Sequence, residues 1–172
     1  MSRRDLASSF LTWLFFSHAC YNYERYQGVG LAHALSPVLR RLYRAPSSMA
    51  AALQRHLVFF NTEPNLGAGV VGILVGLEEE RALTPDGSTV SDATITGVKA
   101  GLMGVVSGLG DTLIQGTLAP LLLSVGIGLA LQGSALGPML YVVAIAALIW
   151  GVSAWSMHQG YRRGTQWLLQ GL

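Results

Sequence analysis

Asn61-Thr62-Glu63-Pro64 places an amide and a carboxylate two positions apart and ends in a proline. Asn and Glu side chains can hydrogen-bond the hydroxyl groups of a sugar, and Pro64 fixes a turn that would present them. The same residues also suit a simple helix boundary, with Asn61 as a C-cap before a turn. Asp111 is the second candidate: it closes Gly108-Leu109-Gly110-Asp111 inside an apolar stretch. A carboxylate there is costly and points to function. Followed by Thr112, it also suits the N-cap of the next helix. His18, His33, His56 and His158 show no metal-ligand spacing with cysteine or a carboxylate, and Cys20 has no cysteine to pair with. No GxSxG elbow and no P-loop is present. Neither a metal nor a cofactor is expected.

The elements that must hold these residues are set by composition. In 172 residues, 51% are hydrophobic and 12% charged, and the mean hydropathy is +0.45. That excludes a disordered chain, which needs low hydrophobicity and high charge. A single cysteine excludes a disulfide scaffold. A net charge of +2, with no Lys/Arg run longer than two, gives no track for phosphates, so no nucleic acid is expected as partner. Between Lys99 and Arg162 only Asp111 carries a formal charge. Such a surface in water would expose large apolar patches, so lipid or another membrane protein is expected around it.

Leu136 to Met157 runs without a charge and is followed by Arg162 and Arg163, with Trp150, Trp155, Tyr161 and Trp167 near that end. As a helix it would be about 33 Å long, enough for a bilayer core, and its basic and aromatic flank marks a membrane boundary. Thr117 to Gln132 is apolar but short; a tilted span, a re-entrant segment and half of a broken helix all fit it. Gly97/Gly101, Gly104/Gly108 and Gly72/Gly76 repeat the small-xxx-small spacing that lets helices approach closely. The GxGD string is shared with intramembrane aspartyl proteases, whose chemistry needs two carboxylates sharing a proton. Asp111 has no second acid in residues 100–172, so a partner would have to come from the first half.

The first half is amphipathic. Leu6, Phe10, Trp13, Leu14 and Tyr21 recur at helical spacing opposite Ser9, Thr12 and His18, which predicts an interfacial or partner-packed helix over a cleaved signal peptide. Gly28 and Gly30 are expected to end that segment. A second helix is predicted from Leu31 to Tyr43 and a third from Ser47 or Ser48 to Phe60, with Met49, Leu53, Leu57 and Phe60 as its apolar stripe. Leu66–Leu77 forms a fourth, and Glu78-Glu79-Glu80 is expected to be its solvated end. The predicted fold class is an all-α membrane protein: amphipathic N-terminal helices, then Gly-rich broken or re-entrant and transmembrane helices. Its regions are 1–83 with the NTEP turn, a linker loop over 84–96, and a Gly-rich membrane region over 97–172 with a span near 136–157.

Several strings lie in the order of one known family. Phe60-Asn61-Thr62-Glu63-Pro64, Tyr21-Asn22-Tyr23-Glu24-Arg25-Tyr26-Gln27, Leu77-Glu78-Glu79-Glu80 and Gly101-Leu102-Met103-Gly104 followed by Gly108-Leu109-Gly110-Asp111 resemble signatures of the IID membrane component of mannose/fructose/sorbose-type sugar phosphotransferase (PTS) permeases. Gly116-Thr117-Leu118-Ala119-Pro120, Leu129-Ala130-Leu131-Gln132-Gly133, Leu136-Gly137-Pro138 and Gly160-Tyr161 continue the match. The resemblance implies a non-catalytic subunit in the bacterial inner membrane, paired in a hetero-oligomer with a IIC membrane subunit and served by soluble IIA and IIB phosphocarriers, which carry the phosphoryl histidines. Sugar translocation would be coupled to phosphorylation. It also implies substrate contacts at Asn61 and Glu63, with Asp111, Pro64, Gly108 and Gly110 structural or gating. Three departures stand out: Gln115 and Ala119 replace the family's usual Trp and Arg, Tyr21 replaces Trp, and family members continue beyond this endpoint. The rival expectation is a C-terminally short docking or assembly subunit without transport; the protease reading is more remote.

Overall fold

The structure, a computed structural model, describes residues 1–84 and 90–170, with side chains described as far as Gly164. α1 (Arg3–Phe16) opens on a capping box in which Ser2 and Asp5 satisfy each other's backbone N–H groups. Its expected stripe is correct for Leu6, Phe10 and Trp13, which face the core, while Tyr21 lies exposed beyond the helix. α2 (Gly28–Leu42) begins at the glycines expected to end the preceding segment. The reason is space: a Cβ on Gly28 would lie 2.4 Å from the Val58 carbonyl oxygen, and one on Gly30 2.4 Å from that of Ser17.

α3 (Pro46–His56) stops four residues short of Phe60. The segment after it pairs instead with the loop before α2: Gln27 N–H donates to the Phe60 carbonyl at 2.8 Å, and Phe60 N–H to that of Arg25 at 3.2 Å. Phe60 is thereby fully buried, edge-on to Trp13. α4 (Pro64–Leu83) is buried along most of its length, as a helix apolar on every side must be. It is the central post of the molecule.

α5 (Asp92–Gly110) starts at an N-cap from Ser91, so the helix begins inside the expected 84–96 linker. Residues 85–89 of that linker lie outside the described residues. The chain then stays helical. A π-helical stretch (Asp111–Leu118) leads directly into α6 (Ala119–Leu131), giving one apolar rod, Asp92–Leu131. The expected interruption is therefore a change of helical pitch within a continuous span, a feature that recurs at functional sites. A turn through Gly133, at φ 78°, returns the chain as α7 (Leu136–Gln170).

Glycines set the helix spacing. A Cβ on Gly160 of α7 would lie 2.0 Å from the Gly69 carbonyl oxygen of α4, and one on Gly137 2.3 Å from that of Gly126 on α6. The backbones touch at these crossings, which is how small residues hold membrane helices together. Of the anticipated GxxxG pairs, Gly72 is used in this way, against Met157. Gly97, Gly101, Gly104 and Gly108 face open space. One core joins both halves: Trp13, Leu35, Leu74 and Ile95 share it with Met157. The outer faces of α5, α6 and the first half of α7 stay apolar and uncovered, with only 11% of each apolar window buried.

Candidate functional site

The NTEP turn lies where the amphipathic half meets the membrane helices. Gln27 holds it from below: its side-chain oxygen accepts from Thr62 N–H at 2.9 Å, and its amide donates to the Thr62 carbonyl at 2.9 Å. The same amide nitrogen is 3.1 Å from His18 Nε2. This explains why Gln27, at the N-cap position of α2, gives that helix no side-chain cap. Trp13 Nε1–H donates to the Pro64 carbonyl at 2.8 Å. Pro64 sits in the first turn of α4, where its missing N–H costs nothing.

Glu63 is the N-cap of α4. One carboxylate oxygen accepts from Leu66 N–H at 2.8 Å and the other from the Asn65 amide at 2.5 Å. Its negative charge meets the positive end of the helix dipole. Asn65 in turn accepts from the Ser153 hydroxyl of α7 at 3.2 Å. Glu63 is 1% exposed. Its cover is Gly110 of α5, where a Cβ would lie 2.5 Å from Glu63 Cβ and 2.7 Å from Oε2. The fold thus brings Glu63, Pro64 and Gly110 together. Asn61 stands beside them, half-buried and not the C-cap of α3, a position taken by Leu57. Its side-chain oxygen accepts from Tyr21 OH at 3.2 Å, and its N–H points at Met103 Sδ of α5 at 3.1 Å.

Asp111 is separate. It lies mid-rod in right-handed helical geometry, so it is not an N-cap. Exposed, it accepts from the Ser107 hydroxyl at 3.0 Å. Among the described residues no hydrogen bond joins it to Glu63, Asn61 or any other carboxylate, as a protease dyad would require. Gly108 is exposed beside it. Asn65, Ser153 and Gln27 escaped sequence reasoning. Asn65 follows the motif directly and was legible as a neighbour, whereas Ser153 and Gln27 reach the site only through the fold.

The acidic run departs furthest from expectation. Glu78 is fully buried, not a solvated helix end. It accepts from Tyr43 OH at 2.6 Å, Arg55 Nε at 2.7 Å and His56 Nε2 at 2.7 Å. Burial alone would push its pKa up; His56, Tyr43 and Arg55 together hold it below the usual carboxylate value. Burial pushes the His56 imidazole down, helped by the nearby Lys99 and Arg55 cations, so it serves Glu78 as a neutral donor. Burial and the Glu78 charge raise the Tyr43 phenol. Arg55 also pairs with Asp92, as does Arg81 at 3.0 Å, and Lys99 donates to the Arg55 carbonyl at 2.9 Å. The cluster therefore clamps α3 and α4 to the root of α5. Among the described residues no three His, Cys, Asp or Glu side chains converge on a metal position.

Two rods long and apolar enough to cross a bilayer, uncovered on their outer faces and packed near their middles against a buried polar turn, define a helical membrane protein. A solved membrane-protein fold agrees. The chain superposes with a TM-score of 0.90 at 34% identity on a chain of the cryo-EM structure of the mannose transporter ManYZ with microcin E492, covering 96% of this chain and 60% of that one. Residues 1–170 match the family described as PTS system mannose/fructose/sorbose family IID component, and the chain belongs to that family. It is 38% identical over 164 residues to the sorbose-specific EIID component of Klebsiella pneumoniae, covering 95% of this chain and 58% of the relative. It is 35% identical over 167 residues to the mannose-specific EIID component of Escherichia coli K12 (95% and 57%). The fructose permease IID component of Bacillus subtilis matches at 33% over 172 residues (100% and 61%). The chain thus spans less than two thirds of the length of these relatives.

Proposed function

We propose that this chain provides the IID part of a sugar permease in the bacterial inner membrane, paired with a IIC subunit and served by soluble IIA and IIB phosphocarriers. Asn61 and Glu63 contact the sugar. The observation that carries this reading is the buried Glu63 carboxylate at the seam of α4 and α5, closed over by a residue without a side chain. A buried carboxylate already oriented by Leu66 N–H and the Asn65 amide offers a sugar hydroxyl a strong charge-assisted acceptor once α5 moves aside. Gly110 permits the closed contact, and Asp111, exposed one residue further along the rod, serves its movement. Phosphoryl transfer belongs to the IIA and IIB partners; His56, fully buried against Glu78, is a poor phosphoryl acceptor.

The test is uptake of radiolabelled mannose, fructose and sorbose by cells expressing the chain with its IIC, IIA and IIB partners. Glu63→Gln and Asn61→Ala each reduce apparent affinity by about 10- to 100-fold, the value of one hydrogen bond involving a charged or well-oriented group. Wild-type affinity in both variants would remove the ligand role. The uncovered apolar faces of α5, α6 and α7 also favour a second reading, in which the chain docks IIC without transporting. Co-purification with IIC in the absence of sugar binding would favour it.

A further inference from the structure

The second half of α7 grips the first two turns of α4 at three points. The Ser153 hydroxyl donates to Asn65 Oδ1, the Ser156 hydroxyl donates to the Leu66 carbonyl at 2.8 Å, and Gly160 meets Gly69 backbone to backbone. These contacts differ in kind. Ser156 and Gly160 hold main chain. Ser153 holds a side chain, and the other end of that side chain holds the carboxylate of Glu63. Ser153 is fully buried within the apolar window of α7, where a hydroxyl needs a partner from a neighbouring helix.

Asn65 has one carbonyl oxygen and one NH2 group. The Ser153 hydroxyl engages the oxygen, which aims the NH2 at Glu63 and fixes which end of the amide faces the carboxylate. Without Ser153 the amide is free to turn, and Glu63 Oε1 loses the Asn65 N–H that donates to it at 2.5 Å. The other carboxylate oxygen remains fixed by Leu66 N–H. We propose that Ser153 is a positioning residue: through Asn65 it sets the orientation of the Glu63 carboxylate and thereby the affinity for sugar, making α7 part of the specificity apparatus. This rests on the reading of Glu63 as a sugar contact. Supporting groups of this kind hold a binding side chain in its productive geometry without touching the ligand.

The experiment measures initial uptake rates of labelled mannose, fructose and sorbose in cells carrying the chain with its IIC, IIA and IIB partners. The variants are Ser153→Ala, Asn65→Ala, the double variant, Ser156→Ala and Glu63→Gln. The relay predicts that Ser153→Ala raises KM by about 2- to 10-fold, the worth of one neutral hydrogen bond, while maximal rate per molecule of complex is retained. Ser156→Ala leaves KM unchanged, because it grips only main chain. The double variant is no worse than Asn65→Ala alone, because both act through one chain of contacts. An unchanged KM in Ser153→Ala, or additive effects in the double variant, overturns the relay. Wild-type KM in Glu63→Gln instead overturns the assignment of Glu63 beneath it. A loss confined to the amount of complex, with KM intact, reduces Ser153 to helix packing and also overturns the proposal.

Discussion

Replacing Glu78 by glutamine distinguishes a clamp from a solvated helix end. Glu78 is fully buried, Arg55 nearly so, and His56 and Tyr43 donate to the same carboxylate. A glutamine keeps the shape but removes the charge. It leaves Arg55 with Asp92 alone, and its NH2 faces one of the donors that the carboxylate accepted. Breaking a buried pair from one side costs about 3–5 kcal/mol. For a domain of this size each kcal/mol shifts the melting temperature by about 2–4 °C, so the loss is roughly 6–20 °C. Glu80→Gln is the internal comparison. Its side chain is only partly buried, and the variant stays within about 0.5 kcal/mol of the parent. Thermal unfolding of the detergent-solubilised protein, followed by tryptophan fluorescence, measures both. Equal shifts in the two variants would refute the reasoning and return the acidic run to solvent.

The same fold makes two more outcomes testable. Acid destabilises the clamp in two stages. His56 folds with a pKa below its ordinary 6.5, so from about pH 6.5 downward the unfolded chain takes a proton that the folded chain refuses, and stability falls. Glu78 adds the same sign lower down: its stabilisation is complete above the ordinary 4.5 and is lost as pH falls through its depressed value. Melting temperatures between pH 8 and about pH 2 check the order, and Glu78→Gln removes the lower stage while leaving the upper one. Gly160→Ala drives a methyl into the Gly69 carbonyl and costs about 1–3 kcal/mol by overpacking, read as a lower melting temperature, while Gly151→Ala, with open space around it, is neutral.

Much of the fold was legible in residue order. Uncharged length marked α7, and the apolar run Leu66–Leu77 marked α4 to within a few residues of its start, whereas α5 begins at Asp92, inside the stretch expected to be a linker. The third helix was drawn too long because Leu57 and Phe60 continue the apolar period of α3, and only the pairing of Phe60 with the loop at Arg25 and Gln27 takes them out of it. The short apolar stretch Thr117–Gln132 left a tilted span, a re-entrant segment and half of a broken helix open, whereas the rod runs on through a π-helical stretch into it, because helical hydrogen bonds satisfy that backbone against lipid. Asn61 and Glu63 could be named from their types and spacing. That Glu63 caps α4, is closed over by Gly110 and is braced through Asn65 by Ser153 could not, since these partners come from three separate helices.

The sequence by itself determined that the latter part of this chain is helical and faces a bilayer, because a stretch with almost no charge has no other stable solvent. It also carried the family, in short strings whose order survives. Tertiary structure alone decided the environment of each acid. Glu78, Glu79 and Glu80 are identical in type and adjacent in sequence, yet helical geometry turns only the first fully into the core, where Tyr43, Arg55 and His56 converge from other segments. A carboxylate's role is set by desolvation and by the donors around it, and neither exists until the helices are packed.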